Sequence, residues 1–293
     1  MMKIYKNNRY KQLVLASYDN LLEHWNVEFR EYEVNTTYGS THMIEFGDKN
    51  KLPLLLFHGV GDNSALMWIY NAKELGKYFH VFAIDTIGGP GKSCPNENYN
   101  KDFSQIVWLD EIFVGINIPK AYLAGVSNGS YLVQHYSIMR PDRVIKAVCM
   151  AGSISAVGDS HPMNTMMKVF LPEALFPTSK NVRKLIHKLT GTNSAVFTEN
   201  KLIMEHYTYL LKGFHNMAMS YHKIKFFNEE EIKRLHHNCV FLLGDSDPML
   251  NLSKEESKLK KYNLEYEIYR GVGHGINHEI AELIHAKIIN YFQ

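Results

Sequence analysis

The stretch AYLAGVSNGS, residues 121–130, decides the fold and raises the first functional question. An apolar run typical of a buried strand ends in Gly-Val-Ser-Asn-Gly at 125–129, and a segment with helical spacing follows. A serine between two glycines at a strand-to-helix turn is the setting in which a nucleophilic hydroxyl stands exposed above a sheet. The two glycines remove side chains that would collide with the neighbouring strand and helix. Ser127 is therefore the candidate nucleophile.

Short apolar runs recur along the chain and alternate with amphipathic helical segments, which predicts parallel strands buried on both faces. The runs occupy residues 53–59, 80–85, 121–127, 144–151, 239–245 and 266–271. Strand, helix and strand in this order imply right-handed crossovers and an α/β fold with a mainly parallel central sheet covered by helices. The alternating segment 29–47 predicts an antiparallel hairpin at one edge of that sheet.

Residues 155–238 interrupt this alternation, because they contain no strand-like run and read as several helices rich in Met, Phe, Tyr and Leu. We expect them to form a helical cap, inserted into a core domain made of residues 1–154 and 239–293. A helical insertion above a parallel sheet is well placed to cover a site at the carboxyl ends of the strands. Some of its apolar side chains should face a substrate.

Composition and charge exclude several classes of partner. The formal net charge is only +2, and no block of Lys and Arg suited to nucleic acid is present. The charged N-terminal segment lacks the apolar core of a secretion signal, and the longest apolar runs are far too short to span a bilayer. The three cysteines, at 94, 149 and 239, are expected to be free thiols in a reducing cytoplasm.

A serine hydroxyl attacks only when a base takes its proton, so a histidine and a carboxylate are required at later strand ends. The run 239–245 leads to Asp245 and Asp247, and the next run leads to His274. His274 is preferred over His278 because it follows the strand directly. Chain order is then nucleophile, acid, base, with either aspartate as the acid.

Six segments taken together make the chain resemble the α/β-hydrolase fold superfamily, and over most of its length the cap-bearing bacterial carboxylesterase-like serine hydrolases. They are FHGVGDNSALMW (57–68), AIDTIGGPGKS (83–93), GVSNGS (125–130), RPDRV (140–144), LLGDSDP (242–248) and GVGHGINHE (271–279). The family pattern Gly-x-x-Asp at 244–247 implies that Asp247 is the triad acid, with Asp245 as the alternative. Ser130 departs from the family, which often has a third glycine there.

The oxyanion formed by carbonyl attack needs two preorganised N–H donors. We expect them to be the backbone of Asn128, at the start of a helix, and the backbone of Val60, after the strand at 53–59. The resemblance implies a serine hydrolase acting on small or medium acyl esters through an acyl-enzyme. A carbon–carbon bond hydrolase, a thioesterase or an acyltransferase would use the same triad, and the fold also includes non-catalytic ligand-binding members.

No cofactor is expected. The 15 histidines include no HExxH arrangement, since the sequence from His278 reads HEIAE, so we expect no metal. The third glycine of a GxGxxG pattern is replaced by Ile276, which argues against a nucleotide. The expected partner is a small-molecule acyl substrate, with neither nucleic acid nor a membrane. Formation of a homo-oligomer stays open.

Overall fold

The computed structural model describes residues 2–161, 163–215 and 217–293. Its strands are β1 Phe29–Thr36, β2 Gly39–Gly47, β3 Pro53–Phe57, β4 His80–Ile84, β5 Cys94–Pro95, β6 Ala121–Val126, β7 Val144–Met150, β8 Cys239–Gly244 and β9 Glu265–Tyr269. The helices that flank them are α1 Asn8–Glu23, α2 Ser64–Met67, α3 Ala72–Gly76, α4 Gln105–Gly115 and α5 Asn128–Met139. A 3₁₀ helix at Pro141–Arg143 leads into β7.

The chain between β7 and β8 is helical in its described part. It contains α6 Met163–Ala174, α7 Ser179–Leu189, α8 Ala195–Thr198, α9 Lys201–Gly213, α10 Glu229–Lys233 and a 3₁₀ helix at Arg234–His237. The core is then completed by α11 Leu252–Lys261, α12 Ile276–Glu279 and α13 Ala281–Phe292. On α7, the four apolar residues at 182, 185, 186 and 189 are buried, because helical spacing puts them on one face.

The described strands form one central β-sheet. Its order is β1-β2-β4-β3-β6-β7-β8-β9, with β5 paired to β2. The strands from β4 to β9 run parallel along this path, while the β1–β2 hairpin is antiparallel at the edge. The mainly parallel, helix-covered sheet and its antiparallel edge confirm the predicted fold class.

The two faces of the sheet pack into two separate cores, as the alternation of side chains along a strand requires. In β3, Leu54 and Leu56 lie in one cluster with residues of α1, α2 and α13. Leu55 and Phe57 lie in the other, with residues of α4 and α5. Central strands such as β6 are buried along their whole length, which explains their continuous apolar sequence.

The turn from β6 to α5 is strained and tightly packed. Ser127 has φ +57° and ψ −114°, a backbone conformation that L-residues rarely adopt. A Cβ on Gly125 would lie 2.3 Å from the carbonyl carbon of Gly129, and a Cβ on Gly129 would lie 2.1 Å from the backbone oxygen of Phe57. The two glycines are needed because α5 approaches the end of β3 at backbone contact distance.

The N-terminal segment fastens helix α9 to the core. Tyr5 forms an antiparallel bridge with Phe214, flanked by backbone hydrogen bonds from Lys6 N–H to Gly213 O and from His215 N–H to Ile4 O, both of 2.8 Å. The Tyr5 hydroxyl also donates to the backbone oxygen of Gly91 at 3.0 Å. The end of α9 is therefore held against the loop that follows β4.

We predict that Gly129→Ala lowers the free energy of unfolding by about 3 kcal/mol, because the added methyl would force α5 away from β3. Urea denaturation measures the change. Gly158→Ala is the control, since Gly158 has φ +94° but open space around it, and should cost only about 1 kcal/mol. Gly129 is helical and has no positive φ, so a loss in Gly129→Ala no larger than that in Gly158→Ala would contradict the role of close approach.

Candidate active site

Ser127 lies at the carboxyl end of β6 and caps the N-terminus of α5. Its N–H donates to the backbone oxygen of Met150 at 2.9 Å, so the turn is held by the neighbouring strand β7. The loop after β3 passes close by, because a Cβ on Gly59 would lie 3.4 Å from the Cβ of Ser127. Ser127 is partly exposed at this rim of the sheet.

His274 and Asp247 meet beyond the ends of β9 and β8. His274 Nδ1 lies 2.8 Å from Asp247 Oδ2, and the Asp247 side chain is fully buried. A carboxylate only accepts hydrogen bonds, so Nδ1 carries the proton and Nε2 is left as the basic nitrogen of the neutral ring. In the part of the chain that the structure describes, neither Nε2 nor Ser127 Oγ makes a hydrogen bond.

Asp245 has a different set of partners. Its Oδ1 accepts hydrogen bonds from the backbone N–H of Gly271, at 2.7 Å, and from the hydroxyl of Ser246, at 2.9 Å. It therefore ties the end of β8 to the turn after β9. Of the two aspartates that the sequence offers, the structure brings Asp247 and not Asp245 to the histidine.

His278 is also engaged elsewhere. Its Nε2 donates to the backbone oxygen of Leu66 in α2 at 3.0 Å, and burial lowers its pKa to about 4. The neighbouring Asn277 donates through Nδ2 to the backbone oxygen of Met67 at 2.6 Å. These bonds dock α12 on α2, whose Met67 also contacts the Gly59 position beside Ser127. The segment after His274 is thereby packed next to the loop that touches the serine.

The charge around His274 favours its protonated form. Burial alone would lower the pKa of the imidazole, but the Asp247 carboxylate and then the carboxylate of Glu279 outweigh this and raise it. An imidazole with a raised pKa is a stronger base. It accepts a proton more readily and holds it as a stabilised imidazolium.

The backbone N–H groups of Val60 and Asn128 have no hydrogen-bond partner among the described residues. Asn128 opens α5, a helix of 12 residues, so the positive end of the helix dipole adds to its N–H. The loop bearing Val60 is fixed by buried His58, whose Nε2 accepts from the N–H of Thr86 at 2.9 Å. These are the two positions that the sequence predicts as oxyanion donors.

Two polar side chains lie close to these donors along the chain. The amide nitrogen of Asn128 is buried and has no hydrogen-bond partner among the described residues. Asp62, two positions after Val60, is buried and accepts one hydrogen bond, from the N–H of Asn63 at 2.7 Å. Burial raises the pKa of Asp62 to about 7. The chain therefore carries a polar side chain directly after Ser127 and another two positions after Val60.

Glu279 is a further residue that sequence reasoning missed. Its carboxylate is buried and bridges two loops, since Oε1 accepts from Gly273 N–H at 3.0 Å and Oε2 accepts from Gly191 N–H at 2.7 Å. Gly273 precedes His274, and Gly191 follows α7. The His274 N–H adds a bond of 2.6 Å to the backbone oxygen of Leu189. The histidine loop is therefore held against the end of α7.

Within residues 2–161, 163–215 and 217–293, no group of three or more His, Cys, Asp or Glu side chains is arranged to hold a metal ion. Among the helices of this part of the chain, none is both long and apolar enough to cross a bilayer.

Comparison with known proteins identifies a family whose model matches this chain and several proteins that are similar to it. A family model described as alpha/beta hydrolase fold matches residues 53–279. Carboxylesterase YbfK of Bacillus subtilis (strain 168) is 24% identical over 285 residues, which cover 94% of this chain and 92% of that protein. The crystal structure of naproxen esterase (carboxylesterase NP) from Bacillus subtilis has a TM-score of 0.82 at 21% identity, covering 97% of each chain.

A more distant solved structure has the same fold. It is a meta-cleavage product hydrolase from Pseudomonas fluorescens IP01, with a TM-score of 0.71 at 18% identity, covering 89% of this chain and 97% of that one. The two esterases match this chain nearly from end to end. The likeness therefore extends over the helices between β7 and β8 as well as over the sheet.

We predict that Glu279→Gln lowers the pKa of His274, because a neutral amide removes one of the two negative charges that raise it. NMR titration of the histidine ring signals measures the shift. Glu282→Gln is the control, since Glu282 is exposed on α13, and it should leave the titration of His274 unchanged. An equal shift in both variants, or none in Glu279→Gln, would contradict this role of Glu279.

Proposed function

Because the chain belongs to the alpha/beta hydrolase fold family, we propose that it is a carboxylesterase-like serine hydrolase that cleaves small or medium acyl esters. The observation that carries the proposal is the 2.8 Å contact between His274 Nδ1 and Asp247 Oδ2, which leaves Nε2 as the free ring nitrogen. Ser127 and His274 follow β6 and β9, which are parallel along the sheet, so both lie at the carboxyl edge. Near full-length likeness to proteins named as carboxylesterases supports the choice of esters.

In the proposed mechanism, Ser127 Oγ attacks the ester carbonyl while His274 Nε2 takes its proton. Asp247 holds the histidine tautomer and stabilises the imidazolium. The tetrahedral intermediate then collapses, the carbon–oxygen bond to the leaving alcohol breaks, and His274 donates its proton to that alcohol. An acyl ester on Ser127 remains. Water, activated by the same histidine, hydrolyses this ester and returns the free serine.

The negative oxygen of the tetrahedral intermediate would accept hydrogen bonds from the N–H groups of Val60 and Asn128. Their freedom from protein acceptors in the described structure supports this role, because such donors need no rearrangement as charge develops. A donor of this kind typically contributes about 10²- to 10³-fold to kcat. Because the roles belong to the main chain, the side chains at 60 and 128 are free to serve the substrate.

Residues 155–238 are proposed as the cap of this enzyme, and residues 1–154 with 239–293 as its core. The bond from His274 N–H to Leu189 O and the Glu279 bridge to Gly191 support a direct contact between cap and active-site loop. A small-molecule acyl substrate would enter beneath these helices. The cytoplasm remains the predicted location, on the basis of the cysteine usage.

Reaction with a fluorophosphonate probe tests the proposal most directly, since such probes modify only an activated serine. We expect one label per chain, located by mass spectrometry on Ser127, and none in Ser127→Ala. Ser153→Ala is the matched control, because Ser153 is exposed just after β7, and should label as the parent does. A folded parent protein that stays unlabelled would favour a non-catalytic ligand-binding member of the fold.

The two aspartates provide a second test, with p-nitrophenyl butyrate as substrate. We predict that Asp247→Asn lowers kcat by about 10⁴-fold, because the amide would mis-set the tautomer of His274. Asp245→Asn should lower kcat by less than about tenfold, since its bonds go to Gly271 and Ser246. The reverse order would transfer the acid role to Asp245. A parent that cleaves diketones or thioesters but no ester would move the assignment to those alternative classes.

A further inference from the structure

Helix α6 presents a continuous apolar stripe to solvent. Met163, Met167 and Leu171 follow one another at intervals of four residues and are 46%, 47% and 39% exposed. Leu175 and Phe176, just after the helix, extend the stripe and are 61% and 71% exposed. Residues four apart lie on one side of a helix, so these side chains form one surface, which we call the α6 stripe. Single exposed apolar residues need no explanation, but a row of five does.

Packing within the chain does not account for the α6 stripe. The opposite side of α6 is already used, because Val169 packs with Leu185 and Leu189 of α7 in a small buried cluster. Glu173, also on that inner side, is 2% exposed. The helix therefore has a satisfied inner face and an apolar outer face.

The same two helices carry a local excess of positive charge. Residues 163–189 contain five basic and one acidic residue, whereas the whole chain has a net charge of only +2. The acidic residue, Glu173, is neutralised by Lys184 at 3.1 Å and Lys188 at 2.6 Å. Among the described residues, Lys168 and Lys180 form no ion pair, and both are exposed. The pair of packed helices that carries the exposed apolar row thus also carries two exposed lysines that form no ion pair among the described residues.

From this combination we propose that the α6 stripe docks the protein on an anionic phospholipid surface. Apolar side chains on one side of a helix can enter the boundary between headgroups and acyl chains, while neighbouring lysines approach the phosphates. A second copy of the chain fits less well, because a twofold contact through this stripe would bring two positively charged patches together. The contact is at the surface only, and it adds a partner that the sequence-based prediction of no membrane leaves out.

Co-sedimentation of the full chain with sucrose-loaded vesicles tests the proposal. We expect binding to vesicles of equal parts phosphatidylglycerol and phosphatidylcholine, little binding to phosphatidylcholine alone, and weaker binding at 0.5 M NaCl. The double variant Met167→Glu with Phe176→Glu should raise the apparent Kd at least tenfold, since it removes apolar area and adds negative charge.

The matched control is the double variant Val114→Glu with Leu283→Glu. These residues are 70% and 59% exposed and lie on α4 and α13, away from α6 in the chain. The control changes the net charge as much as the stripe variant does, but on other helices. It should weaken binding less than threefold. Thermal unfolding checks that each variant is folded. If the stripe variant is not folded, the double variant Lys168→Gln with Lys180→Gln replaces it and should weaken binding about fivefold or more.

Three results would overturn the proposal. One is no binding of the folded parent to phosphatidylglycerol vesicles. Another is an equal loss of binding in the two Glu pairs, which would reduce the effect to net charge. The third is a parent protein that is dimeric by light scattering and does not bind vesicles, while only the stripe variant is monomeric. That result would assign the stripe to contact with a second copy of the chain. None of these readouts depends on esterase activity.

Discussion

The close approach of helix α5 to the end of strand β3 is the constraint on which the active site depends. Gly129 lies against the backbone of Phe57, and the carbonyl of Gly129 lies against Gly125. This contact forces the chain to turn within one residue, and Ser127 takes up the strain at φ +57°. The same contact brings the loop after β3 beside the serine. One packing contact thus positions both the Ser127 hydroxyl and the two N–H groups that we propose would receive the negative charge of an oxyanion.

Three carboxylates near the ends of β8 and β9 have different roles because they have different donors. Asp247 meets an imidazole, Asp245 meets a backbone N–H and a hydroxyl, and Glu279 meets two backbone N–H groups from different loops. Only the first accepts a hydrogen bond from an imidazole, which fixes the tautomer of that ring. The other two shape the loop that carries His274, and Glu279 also contributes charge to it. Local hydrogen bonding, rather than residue type, therefore separates the proposed triad acid from the two carboxylates that position the loop.

Much of the fold and the site could be predicted from the sequence, because the signals were local. Buried strands read as apolar runs, and the family expected from the motifs is confirmed by the match over residues 53–279. The choice between Asp245 and Asp247 needed the resemblance, since both follow β8 and only the course of the turn separates them. Glu279 could not be found, because its partners Gly191 and Gly273 are far apart in the chain. Periodicity predicted buried faces but not the exposed stripe of α6.

The helices between β7 and β8 are attached to the rest of the chain in different ways. Helix α9 is held by the N-terminal segment and by buried His206, whose Nε2 accepts from Asn63 Nδ2 at 3.0 Å and whose Nδ1 donates to Ser17 Oγ at 2.7 Å. Burial lowers the pKa of His206 to about 3, so the ring stays neutral and both bonds persist across the physiological pH range.

Helix α6, by contrast, packs mainly on α7 and turns its apolar side outward. The end of α7 contacts the loop of His274 through Leu189 and Gly191. A displacement of the α6–α7 pair would therefore reach the loop of His274 through the Leu189 bond and through the Glu279 bridge. If the α6 stripe docks on lipid, that pair is the route by which a surface could influence the active site.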